Sequence, residues 1–156
     1  MANKDAAFGL RPIGKVGQNR DNQGLSEYSI AASASAIYQN DPVQALATGT
    51  IGVASTSTAV LLGSLNGVFY TDSSTKKPTW ANHLEASNAA TDIVGFVSDD
   101  PYERFEVQSN GTNAITQASV FFNYNISYVA GDSANYLSKV ELDESTGVST
   151  TAQLRL

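Results

Sequence analysis

Short apolar runs separated by turn-forming residues recur along this sequence, and their spacing of about 8–12 residues is the feature that most constrains the fold. The clearest run spans residues 119–129, where alternate positions place apolar side chains on one face of a strand. That face would carry Val120, Phe122, Tyr124, Ile126 and Tyr128. No repeat of about 20–50 residues, the period of solenoids and propellers, is visible. The pattern predicts an all-β fold, a small antiparallel sandwich or barrel of jelly-roll-like or β-tulip-like type.

Turn signals divide the rest of the chain into further strands. The strongest is Asn66-Gly67, because this dipeptide adopts the positive φ angles of a type I′ hairpin turn at little cost. We predict strands at residues 27–31, 43–46, 51–54, 60–62, 68–71, 92–98 and 103–108. Residues 137–142 and 148–154 are predicted to form a second hairpin around a loop at 143–147. The one helix predicted, residues 81–90, contains several weak helix formers.

Residues 1–24 differ in composition from the rest of the chain. Four glycines and Pro12 interrupt any helical or strand period, yet the segment carries apolar residues that disordered tails usually lack. We interpret residues 1–24 as an extended N-terminal arm and residues 25–156 as the β-rich domain. The arm either docks on a neighbouring protein or folds back onto its own domain. Its candidate contact residues are Phe8, Leu10, Pro12 and Ile13.

The charge of the chain disfavours several functions. The net charge is -6 and the 9 Lys and Arg residues are scattered, whereas nucleic-acid binding requires them in clusters. No stretch approaches the ~18 apolar residues of a membrane helix. The first ten residues lack the apolar core of a secretory signal, so we expect synthesis in the cytoplasm. Charged residues form only 15% of the chain, which suits an assembling protein and an ordinary small β domain equally well.

Few residues could support catalysis or metal binding. The chain has no Cys and a single His, His83, which leaves a zinc site without its usual ligands and offers one candidate imidazole base. Neither a nucleophile elbow nor a phosphate-binding glycine motif occurs. Asp99, Asp100 and Glu103 form the densest acidic cluster, which could bind calcium, act as a glycosidase-like acid–base pair or lie in a solvated turn. We predict no enzymatic activity, no cofactor and no metal.

Two aromatic residues are candidate interface residues. Trp80 and Tyr102 each lie beside a proline-containing loop, and aromatic side chains often anchor protein interfaces. Trp80 could equally close one end of the hydrophobic core.

Three stretches of the sequence are similar to a known family. They are KDAAFGLRP at residues 4–12, DPV at 41–43 and, most specifically, VGFVSDDPYERFEVQ at 94–108. Together they resemble small structural proteins of tailed phages that accompany the major capsid protein, the decoration or cement proteins. Residues 55–90 carry nothing that matches this family.

The resemblance implies a function. Such a protein binds the outer surface of the phage head and stabilises the shell by bridging major capsid proteins, commonly as a homotrimer. The implied partners are the major capsid protein and further copies of the chain. The implied location is the outer capsid surface of the virion, after synthesis in the host cytoplasm. The alternative is a glycan- or receptor-binding β module of a tail fibre or spike, in which Trp80, Tyr102 and Tyr128 would stack on sugar rings.

Overall fold

The computed structural model of the chain describes residues 5–17, 24–111 and 114–156, and over these ranges it consists of strands and connecting loops. The one helical element in these ranges is a 3₁₀ turn at Gln117–Ser119. The strands are β1 (Arg11–Lys15), β2 (Ser26–Ser29), β3 (Pro42–Ala45), β4 (Ile51–Val53), β5 (Gly63–Thr71), β6 (Pro78–Ala81), β7 (Val94–Ser98), β8 (Glu103–Glu106), β9 (Asn123–Ser127), β10 (Glu141–Val148) and β11 (Leu154–Arg155). The pairs that these strands form are antiparallel, which confirms the predicted all-β fold.

The largest unit is a six-stranded sheet built around β5. β5 pairs with β7 along one side and with β3 and then β6 along the other, while β2 and β4 lie at the two ends. A bridge between Ile30 and Ile51 joins these ends, so the sheet curls on itself. The curled sheet encloses the main core, which consists of Ile30, Ile37, Val43, Ile51, Leu65, Val68, Leu84, Ala90, Ile93 and Val97. Burying a large apolar side chain stabilises a fold by ~1.5–3 kcal/mol.

Two smaller sheets complete the structure. β9 lies between β10 and β11 in a three-stranded sheet, and β1 pairs with β8 in a two-stranded ribbon. Tyr124 and Ile126 of β9 and Leu142 of β10 are buried. A parallel bridge between Ser109 and Leu142 connects the segment after β8 to β10. The antiparallel sheets give the sandwich-like arrangement that the strand pattern predicts.

The hairpin turn predicted at Asn66-Gly67 is wrong. The dipeptide lies inside β5, where the register against β7 shifts between Leu65 and Gly67, as in a β-bulge. A side chain at Gly67 would place its Cβ 2.7 Å from the Trp80 ring and 2.9 Å from the Ala81 carbonyl oxygen. Glycine is therefore needed here because β6 approaches closely. The chain continues through the bulge as one strand and makes no hairpin turn.

The helix predicted at residues 81–90 is also wrong. Leu84 and Ile37 exchange two backbone hydrogen bonds of 2.7 and 3.0 Å, and both side chains are fully buried. Ser87 has a φ of 61°, in the left-handed region, which a right-handed helix does not accommodate. Pairing with a distant segment therefore outweighs the weak local helix preference of this stretch.

The predicted C-terminal hairpin is wrong as well, because both of its strands pair with β9. β10 runs through the expected loop, with a register shift between Asp143 and Val148, and β11 lies on the other side of β9. The Asp143 carboxylate accepts hydrogen bonds from the Ser145 amide and hydroxyl, at 3.0 and 2.7 Å. These local bonds make the expected loop a distortion within one strand.

The strand predicted at residues 119–129 is shorter in the structure. β9 begins at Asn123, because Phe121 has a φ of 73, outside the range of a strand. Tyr124 and Ile126 are buried as predicted, whereas Val120 is exposed and belongs to the loop before the strand. The alternating pattern therefore locates the strand but overestimates its length.

Asp41 is a buried carboxyl in the turn that precedes β3. Its side chain is fully inaccessible, and its Oδ2 accepts a hydrogen bond of 2.8 Å from the Tyr38 amide. Burial raises the pKa of the Asp41 carboxyl, and the nearby Ser138 hydroxyl and the Tyr38 amide oppose that rise only in part. Its Oδ1 is buried without a hydrogen-bond partner among the described residues, which also disfavours the charged form. The charged form is therefore disfavoured in the folded protein.

Asp41→Asn tests this assignment. Because folding raises the pKa of Asp41, its stabilising contribution is complete below the unfolded pKa of ~3.9 and is lost as the pH rises through the folded pKa. Asparagine does not ionise, so the unfolding free energy of the variant minus that of the wild type should increase between about pH 3 and about pH 7. The increase is ~1.4 kcal/mol for each tenfold difference in the proton affinity of the carboxyl between the folded and the unfolded protein. Urea unfolding at several pH values measures it.

Asp92→Asn is the matched control. Hydrogen bonds from Thr71 lower the pKa of the exposed Asp92 carboxyl. The unfolding free energy of Asp92→Asn minus that of the wild type should therefore decrease as the pH rises. If the unfolding free energy of Asp41→Asn minus that of the wild type stays constant across the pH range, the raised pKa of Asp41 is contradicted.

Candidate functional site

The N-terminal segment is part of the folded domain. β1 pairs with β8 in the two-stranded ribbon. The Asn40 carbonyl accepts a hydrogen bond of 2.9 Å from the Leu10 amide, and the Asn40 side chain donates one of 3.1 Å to the Phe8 carbonyl. Residues 8–15 therefore fold back onto their own domain, the second of the two alternatives left open by the sequence. Residues 1–4 and 18–23 lie outside the described ranges.

The structure corrects one of the four arm residues. Leu10 is 1% exposed, and its carbonyl accepts a hydrogen bond of 2.6 Å from the buried Ser64 hydroxyl, so its side chain belongs to the core. Phe8 and Pro12 are half-buried. Ile13 is 57% exposed and is the arm residue that offers the most apolar surface to a partner.

Two alanine substitutions separate a core residue from a contact residue. Leu10→Ala removes a fully buried side chain and should lower the unfolding free energy by ~2–5 kcal/mol. Ile13→Ala, three residues away on the surface, should change it by less than ~1 kcal/mol. Equilibrium denaturation of the two variants beside the wild type measures both values. Equal losses would contradict the different placement of these side chains.

The acidic turn, which consists of Asp99, Asp100 and Glu103, is bound to the protein's own donors. Asp99 accepts hydrogen bonds of 2.9 Å from the Ser26 hydroxyl and 2.5 Å from the Tyr28 hydroxyl, both on β2. The bond to Asp99 raises the pKa of the Tyr28 phenol, because the phenolate would lose it. Asp99 therefore fastens the end of β7 to β2.

The other two carboxylates of the acidic turn hold the ribbon. The Asp100 carboxylate lies 3.2 Å from the Lys15 ammonium in a pair that is largely shielded from solvent. Glu103 accepts hydrogen bonds from the Gly14 amide at 3.1 Å and the Ser98 hydroxyl at 3.3 Å. Among the described residues no group of three or more His, Cys, Asp or Glu is placed to hold a metal ion. The geometry thus assigns the acidic turn a structural role.

His83 packs against aromatic rings. Its ring stacks on Tyr136 with centroids 3.7 Å apart and planes 12° apart, and the Tyr38 ring lies 6.4 Å away. Its Nδ1 lies 2.8 Å from the Asn82 side-chain oxygen. Burial lowers the pKa of His83, and the Glu85 carboxylate opposes this only in part. The imidazole therefore joins the loop after β6 to the loop before β10, and in the described part of the chain no serine hydroxyl hydrogen-bonds to it.

An exposed cluster of aromatic rings lies on the outer side of the six-stranded sheet. Phe69 and Trp80 are cross-strand partners on β5 and β6, which places both side chains on the same face. The Phe96 ring of β7 lies 4.9 Å from the Trp80 ring at an angle of 55°. Phe69 is 41% exposed and Trp80 is 54% exposed. We call this cluster of Phe69, Trp80 and Phe96 the aromatic face.

The two aromatic residues selected from the sequence lie in different places. Trp80 belongs to the aromatic face, whereas Tyr102 lies in the turn after β7 and is also 54% exposed. The sequence alone does not single out Phe69 and Phe96 as surface residues, although they lie in the strands predicted at residues 68–71 and 92–98. Only the register of β5 against β6 and β7 shows that they join Trp80.

Comparisons with protein-family models, curated proteins and solved structures find no match to this chain. In the described ranges, no helix is long and apolar enough to cross a membrane.

Proposed function

We propose that this protein is a decoration protein of a tailed-phage head, which binds the outer surface of the shell and bridges neighbouring major capsid proteins. The resemblance of residues 94–108 to that family supports the proposal. The structural observation that carries it is the aromatic face, three neighbouring rings of which Phe69 and Trp80 are exposed and Phe96 is half-buried. Exposed apolar groups of this kind mark sites of protein interaction.

The composition of the aromatic face suits docking on another protein. Trp80 exposes half of its surface, and tryptophan is among the residues that contribute most to interface energies. Its neighbours on the same face, Val94 and Phe96 of β7 and Pro78 of β6, carry no charge. The exposed Glu27 of β2, the cross-strand partner of Phe96, lies at the margin of the face. A partner that docks on Trp80 between β5 and β7 therefore desolvates uncharged groups at the centre of the contact, and burying ionised groups is the more costly alternative.

Binding of the protein to the assembled shell stabilises the shell through the coupling of binding to assembly. A ligand that binds only the assembled state lowers the free energy of that state by RT ln(1 + [L]/Kd), which is ~2.7 kcal/mol at a concentration of 100 Kd. Many copies on one head multiply the effect. We further propose that the protein acts as a homotrimer on the capsid surface, because three linked copies bind at high effective concentration once one has docked.

Binding to purified heads that lack the protein tests the proposal. Wild-type protein should co-sediment with such heads up to a saturating ratio and should raise the temperature at which they break down. Trp80→Ala should weaken binding about tenfold or more, since loss of an aromatic anchor typically costs over ~1.4 kcal/mol.

Leu46→Ala is the control for this experiment, because Leu46 is an exposed apolar residue, 41% accessible, that lies in the turn between β3 and β4 and not on the aromatic face. It should bind like the wild type, and circular dichroism should show that both variants remain folded. Failure of the wild-type protein to bind would contradict the proposed function.

A second candidate function is a glycan- or receptor-binding module of a tail fibre or spike. The exposed Trp80 ring favours it, because sugar rings stack on exposed aromatic side chains. Trp80 is the single tryptophan of the chain, so its fluorescence reports on this face directly. A saturable fluorescence change with a sugar from a glycan array would support this second function. Binding to heads with no response to sugars would exclude it.

A further inference from the structure

The bulge at Asn66-Gly67 reverses the alternation of side chains along β5. In a regular strand, residues two positions apart share a face. Leu65 and Val68 are three positions apart, yet both side chains are fully buried, because the register against β7 shifts between Leu65 and Gly67. The shift directs Val68 into the core and turns Gly67 to the outer side of the sheet, where Phe69 is exposed. The bulge therefore places a residue without a side chain within the aromatic face.

Gly67 lies between Trp80 and Phe96. Trp80 belongs to β6 and Phe96 to β7, and β5 runs between them, so the two backbones are ~10 Å apart at the usual strand spacing. The centroids of the two rings are nevertheless 4.9 Å apart. The indole reaches Phe96 across Gly67, where a Cβ would lie 2.7 Å from its Cζ2 and 3.1 Å from its Cη2. A side chain at Gly67 would separate the two rings.

The indole of Trp80 is held on one side and open on the other. It covers Gly67, which is buried although it faces outward. Phe96 packs against the indole at an angle of 55°, the tilted arrangement that aromatic pairs favour. Trp80 nevertheless remains 54% exposed. An aromatic side chain that is already fixed in place loses less conformational entropy when a partner binds it.

We propose that Gly67 is a positioning residue, which lets Phe96 hold the Trp80 indole in the orientation that docks on the shell. The inference rests on the proposed function and deepens it, because it names what fixes the anchor of the aromatic face. Gly67 has no side chain to offer a partner and acts through Trp80. The Asn66-Gly67 bulge thus serves the docking surface as well as the fold.

Gly67→Ala tests the proposal through two measurements. Trp80 is the single tryptophan of the chain, so time-resolved fluorescence anisotropy reports the motion of this indole alone. The variant should show rapid indole motion that the wild type lacks. Its affinity for heads that lack the protein should fall about three- to tenfold, because a mobile side chain must be immobilised on binding.

Gly95→Ala is the matched control. Gly95 lies in the same sheet but faces the core, where a Cβ would lie 2.9 Å from the Ile30 side chain and 3.2 Å from that of Ile51. This variant strains the sheet without entering the space between Trp80 and Phe96. It should keep the slow indole motion and the head affinity of the wild type, and urea unfolding measures how much each alanine destabilises the fold.

Phe96→Leu provides a second route to the same result. It removes the ring that packs against Trp80 and leaves Gly67 and the close approach of β6 unchanged. The indole should again become mobile and head binding should weaken. This variant decides the question if Gly67→Ala does not fold.

The outcomes distinguish this inference from the proposed function. A mobile indole with weakened binding in Gly67→Ala or Phe96→Leu, but not in Gly95→Ala, supports the positioning role. An indole that stays fixed in both test variants overturns that role, whatever their affinity for heads. Equal loss of binding in Gly67→Ala and Gly95→Ala also overturns it, because the loss then follows from destabilisation. Wild-type protein that does not bind heads overturns the proposed function, and with it the role of Gly67 in docking.

Discussion

The turn at Asn40 and Asp41 holds the three parts of this protein together. The Asn40 carbonyl accepts a hydrogen bond from the Leu10 amide, and the Asn40 amide donates one of 2.8 Å to Leu65 in β5. The Leu65 amide donates one of 3.0 Å to the Asp41 carbonyl. The adjacent Gln39 bridges to Leu137, in front of β10. The N-terminal segment, the main sheet and the C-terminal sheet therefore meet at three consecutive residues, 39–41.

A clear alternation of apolar and polar side chains locates a strand from the sequence alone. β8 and β9 are examples, because the period of two is set by the strand itself and needs no knowledge of the partner strand. Asn66-Gly67 shows where this reasoning ends. The dipeptide has a strong local preference for a turn, yet the close approach of Trp80 places it in a bulge. Residues 81–90 fail for a related reason, since their pairing partner is more than forty residues away.

The candidate site was predictable only in part. Trp80 is 54% exposed, so it lies at the surface, and its role as an interface residue stays a prediction. Leu10 was assigned to an arm and lies in the core, since nothing in its local sequence reveals the Asn40 carbonyl that fixes it. Phe69 and Phe96 gain their significance from the register of β5 against β6 and β7. That register depends on pairing between separate segments, which composition and periodicity do not specify.

We propose that the protein coats a phage head, and its copy number in purified virions decides between this and a tail location. Quantitative mass spectrometry measures that number relative to the major capsid protein. A decoration protein should be present in numbers comparable to those of the shell protein. A few copies per particle would place it at the tail and favour receptor binding, and complete absence from virions would contradict a structural role.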